Sequence, residues 1–277
     1  MNFDVLMESA KIFLKKNTLN YITEEDALRP DLIGMKIYEE PLFGVAAADS
    51  PLFVQFRTPG VVHPEAFLPA DWLEGAKSVI SFFLPFTDAV KRSNAQERDK
   101  ASDEWLHARI EGQMMLEDLG RYLCRMLAEE GFETAFPTTD ERFRILAPNI
   151  SNWSERHIAY ACGLGTFGLS RGLITKKGMA GRFGSIITTA ELPVTPHEYT
   201  DPFEYCSMCG KCQRNCPVNA IDMKKGVIHG KDQAICAPYI RDSYLPPHGP
   251  NNRVRYGCGK CQVNVPCESG IPMRKSK

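Results

Sequence analysis

The stretch Cys206-Ser207-Met208-Cys209-Gly210-Lys211-Cys212-Gln213-Arg214-Asn215-Cys216-Pro217 has the spacing C-x2-C-x2-C-x3-C-P. In such a run three closely spaced thiolates hold one [4Fe-4S] cluster, and the fourth, turned away at the proline, ligates a second. A second cluster then needs three more cysteines, and Cys236, Cys258 and Cys261 supply them beside Cys216. Cys267 returns to complete the first. Eight of the ten cysteines of the chain fall in this region, and the spacing predicts two clusters, one on Cys206, Cys209, Cys212 and Cys267, the other on Cys216, Cys236, Cys258 and Cys261.

Structural zinc sites also use four thiolates, but they present them as separated C-x2-4-C pairs. Three cysteines at successive x2 spacing fit that pattern poorly. A disulfide framework is the other alternative. The downstream half is degenerate, since Cys258-Gly259-Lys260-Cys261 has no third close cysteine and Pro266 precedes Cys267 instead of following it. The set of eight follows from the count; its division into fours is an inference.

With 277 residues, 43% hydrophobic and 24% charged, the chain is expected to form one large or two unequal globular units. The division expected is 1–199, an α/β unit for cofactor and substrate, and 200–277, a small ferredoxin-like unit with two [4Fe-4S] clusters. Met1-Asn2-Phe3-Asp4 lacks the basic start of a signal peptide, and no apolar run reaches the ~18 residues of a membrane span. The expectation is a cytoplasmic protein with no membrane contact, a setting that suits reduced thiolates. A net charge of −1 gives no global attraction to nucleic acid. Arg171, Lys176, Lys177 and Arg182 form one basic group and Arg274, Lys275 and Lys277 another, each expected to be solvated. Cys124 and Cys162, outside the ligand set, read as small core residues.

Residues 4–16 carry apolar groups at helical spacing. Six prolines between 30 and 75 predict short strands and loops, and the apolar run 77–84 predicts a central strand covered on both faces. The charged stretch 88–103 reads as a surface loop, a candidate lid. A long helix is expected over 103–130, with Leu116, Leu119, Leu123 and Leu127 on one face and Gly131 at its end. Short strands follow at 132–136 and 186–189. The fold class expected is α+β.

Residues 154–192 carry Gly163, Gly165 and Gly168, formally G-x-G-x-x-G. A dinucleotide site requires a strand before these glycines and a helix after them; here a helical stretch precedes and a loop and strand follow, so a Rossmann site is rejected. The glycines either let a backbone approach a large flat or phosphate-bearing ligand or serve a helix end and a tight turn.

This segment and the cysteine run together resemble the epoxyqueuosine reductases and the reductive dehalogenases, related cobalamin-dependent iron-sulfur reductases. The matching strings are His157-Ile158-Ala159, Gly163-Leu164-Gly165-x-x-Gly168, the stretch from Ile174-Thr175 through Arg182 to Leu192-Pro193, and the cysteine run. The resemblance covers about 150–277 and implies a corrinoid-binding, nitroreductase-like layered unit, followed by a ferredoxin-like one feeding electrons to cobalt. It also implies that an isolated cysteine, here Cys236, ligates the second cluster. Epoxyqueuosine reductases carry an Arg-Asp-Tyr-His string with a proton-donating aspartate; the nearest counterpart, Glu104-Trp105-Leu106-His107, places Trp105 there. Their tRNA-gripping extension has no counterpart in the ten residues after Cys267. A tRNA substrate is therefore not expected.

No D-x-H-x-x-G string occurs, so a cobalt-ligating histidine is not indicated. On the resemblance, Gly163, Gly165, Gly168, Arg171 and Arg182 are expected to line the cofactor, and His157 or Tyr160 to supply a proton, with His107 and Tyr38 as further candidates. His63, His197, His229 and His248 read as loop residues without a role. The leading expectation is an iron-sulfur reductase that takes electrons from a ferredoxin or flavodoxin and reduces a small molecule at a cobalamin. The rivals are an electron-transfer protein serving a partner enzyme, and a reductase using flavin in the same pocket.

Overall fold

The computed structural model describes residues 3–242 and 250–273; His248 and the basic group Arg274, Lys275 and Lys277 lie outside them. The first helix, α1 (Phe3–Lys16), buries Leu6, Ala10 and Leu14 at four-residue steps, as one helical face requires. The proline-rich stretch holds β1 (Leu42–Ala47). It also holds two short helices, α2 (Pro51–Gln55) and α3 (Pro69–Trp72), where only strands and loops were expected. Their prolines start the helices instead of breaking them, because the first helical N–H has no intrahelical partner to lose.

The apolar run forms β2 (Ser78–Pro85), buried at every position. The expected lid loop is instead the helix α4 (Asp88–Gln96), packed on α5 (Asp103–Glu129). Its buried face includes the polar Asn94, whose side-chain oxygen accepts from Ser102 N at 3.1 Å and whose amide donates to Cys258 O at 3.0 Å. A helix that buries polar groups through specific partners gives no apolar period, and that hid it from a reading of periodicity. Ser102 caps α5 by accepting from Trp105 N at 3.2 Å, as an N-cap serine does.

Then come β3 (Thr134–Ala135), the hairpin β4 (Ile145–Ala147) and β5 (Ile150–Ser151), α6 (Glu155–Ala161), the hairpin β6 (Gly165–Phe167) and β7 (Leu173–Thr175), and β8 (Gly181–Thr188). The main sheet is antiparallel in the order β1-β2-β8-β3. Val45 pairs with Ile80, and Ile80 with Ile186. Because side chains alternate along a strand, Val45, Ile80, Phe82, Leu84 and Ile186 share a core with α1 and α5. On the opposite face Ala46, Val79 and Ile187 meet Ile158 of α6, together with Phe53, Trp72 and Trp153. Helices thus cover both faces of the sheet. The edge strand β3 reaches only Ile187 and Thr188, so β8 from Gly181 to Ile186 has no strand partner on that side among the described residues.

The cysteine-rich segment contains α7 (Lys211–Arg214), α8 (Gly226–His229) and α9 (Gln233–Asp242). It is joined closely to the rest: Val263 belongs to the α1–α5 core, Met179 N donates to Cys267 O at 3.0 Å, and Arg255 Nη2 donates to Glu111 Oε1 at 2.8 Å. Cys162 is fully buried, and Cys124 is half-buried against the main core.

Candidate iron-sulfur centre and adjoining recess

The two cysteine arms repeat a local conformation. Cys209-Gly210-Lys211-Cys212 and Cys258-Gly259-Lys260-Cys261 each place glycine in the left-handed region, at φ 67 and 71, which glycine adopts without a Cβ penalty. Asn215 Nδ2 ties the arms by donating to Val263 O at 2.9 Å. The downstream loop rests on Trp105 so closely that a Cβ on Gly259 would fall 2.1 Å from the indole. Trp105 is thus the floor of this arm, at the position where the resemblance places an aspartate. Lys260 Nζ fastens the loop from the other side, donating to Asn94 O at 2.7 Å.

The eight thiols fall into two neighbourhoods. Burial, reinforced by neighbouring Cys212, Cys206 and Cys209, pushes the Cys267 thiol up to about 12. Burial likewise raises Cys236, with Cys261 and Cys216 adding to it, and takes Cys258 to about 12 with help from Cys261 and Cys236. By electrostatic influence Cys267 goes with Cys206, Cys209 and Cys212, and Cys236 with Cys216, Cys258 and Cys261, the grouping that the spacing predicts for the two clusters. Cys212 and Cys261 also influence each other, so the two sets adjoin. Packed thiols that resist ionising individually become thiolates when a cationic centre binds them.

Among the described residues no three Cys, His, Asp or Glu side chains stand close enough to hold a single metal ion. Ala220 N donates to Cys216 Sγ at 3.2 Å, a kind of contact that tunes cluster potential.

Beside the second set, along the edge of β8 that no described strand covers, three arginines and a glutamate gather, and we take them as the candidate lining of a recess. Arg182 projects from β8 to Gln113 Oε1 on α5. Arg109 stands one turn before Gln113, over the Tyr256 ring at 4.4 Å, and its buried Nε has no hydrogen-bond partner among the described residues. From α6, Arg156 is exposed and carries its guanidinium among charged neighbours. Burial lowers its pKa, the thiolates of Cys261 and Cys236 raise it, and Arg182 lowers it. Glu155 keeps both carboxyl oxygens buried without a hydrogen-bond partner. Burial pushes its pKa up to about 8, partly offset by Ser185 and Arg182.

The residues expected from sequence to line a cofactor separate here. Arg182 joins Arg109 and Arg156, neither of which the sequence reading had singled out. The only signal for Arg156 was its place beside His157, and for Arg109 there was none. Gly163 is a helix terminator instead: with φ 78, its N–H bonds Tyr160 O and Leu164 N bonds Ala159 O, the paired bonds of a Schellman motif. At Gly165 a Cβ would meet Ile174 O at 1.9 Å, and at Gly168 it would meet Ile174 Cδ1 at 3.2 Å. These glycines answer close approach within the β6–β7 hairpin, the tight-turn alternative of the two that the sequence left open. Arg171 bonds Ile228 O and ties that hairpin to α8.

Both expected proton donors are held by neighbours. His157 shares a 2.8 Å hydrogen bond with Ser154 Oγ. Burial, with Arg156 and Arg171 adding, drives its pKa down to about 3, so the ring is neutral. Tyr160 stacks on Tyr199 at 5.4 Å, and burial raises its pKa. His107 is locked between Leu28 N, which donates to it, and Glu111. Tyr38 is fully buried against Phe86.

The family model for a 4Fe-4S binding domain matches residues 201–222. A sequence comparison with curated proteins finds no match. Among solved structures, epoxyqueuosine reductase from Streptococcus thermophilus is 18% identical, covering 100% of this chain and 69% of its own, with a TM-score of 0.54. A catabolic reductive dehalogenase, NpRdhA, is 13% identical, covering 83% of this chain and 30% of its own, also with a TM-score of 0.54. The fold is thus that of the epoxyqueuosine reductases and reductive dehalogenases, a mixed helix-and-strand unit with a C-terminal 4Fe-4S domain. The chain spans under two fifths of the dehalogenase structures' length.

Proposed function

We propose that this protein is a cytoplasmic iron-sulfur oxidoreductase that draws low-potential electrons from a ferredoxin or flavodoxin and delivers them to a small-molecule substrate at a corrinoid. The observation that carries this reading is adjacency: Cys236 and Cys261, of the second thiolate set, neighbour Arg156, which lines the recess at the free edge of β8. A solved structure of this fold is a reductive dehalogenase whose dehalogenation is B12-dependent, which supports a corrinoid over a flavin.

The recess suits such a group. Arg109 Nε and both Glu155 oxygens are buried polar atoms without protein partners among the described residues, and buried polar groups normally have them. Arg109, Arg156, Arg182 and Glu155 would hold a cofactor whose rim carries amides and a phosphate. A corrinoid, when bound, supplies cobalt-centred electron chemistry.

Glu155, neutral near pH 7, can donate as well as accept a hydrogen bond there. His157, neutral and fixed by Ser154, adds no charge beside the arginines. The first thiolate set lies toward the surface, where Cys209 borders a recess of about 490 Å³ lined also by Lys211, Arg214 and Glu268; this face would receive an acidic carrier protein. A net charge of −1 offers no general attraction for a polyanion such as tRNA.

Anaerobically purified protein, titrated with cobalamin, tests the reading. The expected result is about eight irons per chain and one tightly retained corrinoid. Full iron with no retained corrinoid or flavin, and rapid electron exchange with a partner, would instead make the protein an electron carrier.

A further inference from the structure

We infer that Arg109, Arg156 and Arg182 form a site for one oxyanion, a phosphate or a carboxylate, carried by the ligand that enters the recess. The inference rests on the proposed function for the identity of that ligand, but not for the existence of the site.

The argument is one of uncompensated charge. Arg255, the one buried arginine among the described residues, is paired: it meets Glu111 at 2.8 Å with its side chain fully covered. Arg182 instead meets the amide of Gln113, and Arg109 meets the ring of Tyr256, neither of them a carboxylate. No ion pair joins Arg109, Arg156 or Arg182 to a carboxylate among the described residues. Glu155, the carboxyl nearest Arg182, is held neutral by burial. The thiolates near Arg156, Cys261 and Cys236, answer that one guanidinium; none acts on Arg109, whose charged form is disfavoured by burial first and then by Arg182, partly offset by Tyr256, with Arg156 adding to the repulsion.

Arg109 and Arg182, half-buried neighbours with no carboxylate partner among the described residues, are costly to hold side by side, and Arg156 adds to the repulsion. An oxyanion relieves the repulsion and supplies the acceptor that Arg109 Nε lacks, and the planar guanidinium fork matches phosphate and carboxylate oxygens. The placement is fixed by secondary structure. Arg109 and Gln113 lie one turn apart on α5, Arg182 reaches Gln113 from the unpaired edge of β8, and Arg156, in the first turn of α6, is within electrostatic reach of both arginines.

Two sources could bring that group: the phosphodiester of the cofactor's nucleotide tail, or an anionic substrate. Titrating the iron-loaded protein with cobalamin, with cobinamide (the same ring without the phosphate) and with inorganic phosphate separates them, using wild type, Arg182→Gln and Arg182→Lys. If the cofactor supplies the anion, wild type binds cobalamin at least about tenfold more tightly than cobinamide. Arg182→Gln then removes the preference, and Arg182→Lys restores part of it. If the substrate supplies it, both corrinoids bind alike to all three proteins, while phosphate or benzoate perturbs the cobalamin-loaded wild type and not Arg182→Gln.

If neither corrinoid binds, the proposed function fails. The site then stands on whether phosphate raises the melting temperature of wild type but not of Arg182→Gln. No corrinoid preference together with no anion effect on spectrum or melting overturns the inference.

Discussion

Replacing Gly259 by alanine should remove the downstream cluster while leaving the upstream one. The residue sits at φ 71 with an added Cβ placed 2.1 Å from the Trp105 indole. Left-handed backbone costs a non-glycine residue about 1–2 kcal/mol, and overpacking a closed contact adds about 1–3 kcal/mol. The sum, about 2–5 kcal/mol, falls on the loop carrying Cys258 and Cys261. Trp105 is 4% exposed and braced edge-on by Phe86 at 4.9 Å, so the indole cannot retreat cheaply. Iron and sulfide should drop from about eight toward four per chain, with loss of one cluster's EPR signal. In a Trp105→Ala background the steric part should vanish and only the backbone part stay, a coupling of about 1–3 kcal/mol. Full iron and unchanged melting in Gly259→Ala, or additive effects in the double variant, would refute the seating of this loop on Trp105.

Cys216→Ala should disturb the cluster shared with Cys236, Cys258 and Cys261 and spare the upstream signal; EPR of the reduced protein distinguishes the two. Glu155 has its pKa raised to about 8 from an ordinary 4.5, chiefly by burial, so its neutral form is the one the fold favours. Its stabilising contribution should be full below pH 4.5 and fall away as pH rises through about 8, and Glu155→Gln should flatten that part of the stability–pH curve measured by denaturant unfolding. Reversing Lys211 and Arg214 to glutamate should slow reduction by flavodoxin about tenfold or more at low salt. It should leave photochemical reduction and iron content unchanged; equal flavodoxin rates in wild type and variant would remove this face as the docking site.

Cysteine spacing alone carried the metallocluster reading, because the covalent geometry of a four-iron cluster constrains how soon the chain can return to it. The central strand and the long helix were equally legible, since Ser78–Pro85 is buried throughout and Leu116, Leu119, Leu123 and Leu127 repeat on one face of α5. Tertiary structure decided what no local pattern encodes. Asn94 turns a charged stretch into a buried helix by finding partners at Ser102, Cys258 and Lys260. Trp105, which local alignment marks only as a missing acid, is the support for a loop about 150 residues away. The glycines of 163–168 were legible as backbone requirements but not as to which requirement, because a helix stop and a ligand cradle ask the same thing of a residue without a Cβ. Arg109, Arg156 and Arg182 come from two helices and a strand edge, and their lack of counter-charges exists only once the chain has folded around them. Sequence determines what each residue could bind; burial and convergence, which are properties of the packed chain, decide which of those capacities are left unsatisfied and therefore open to a ligand.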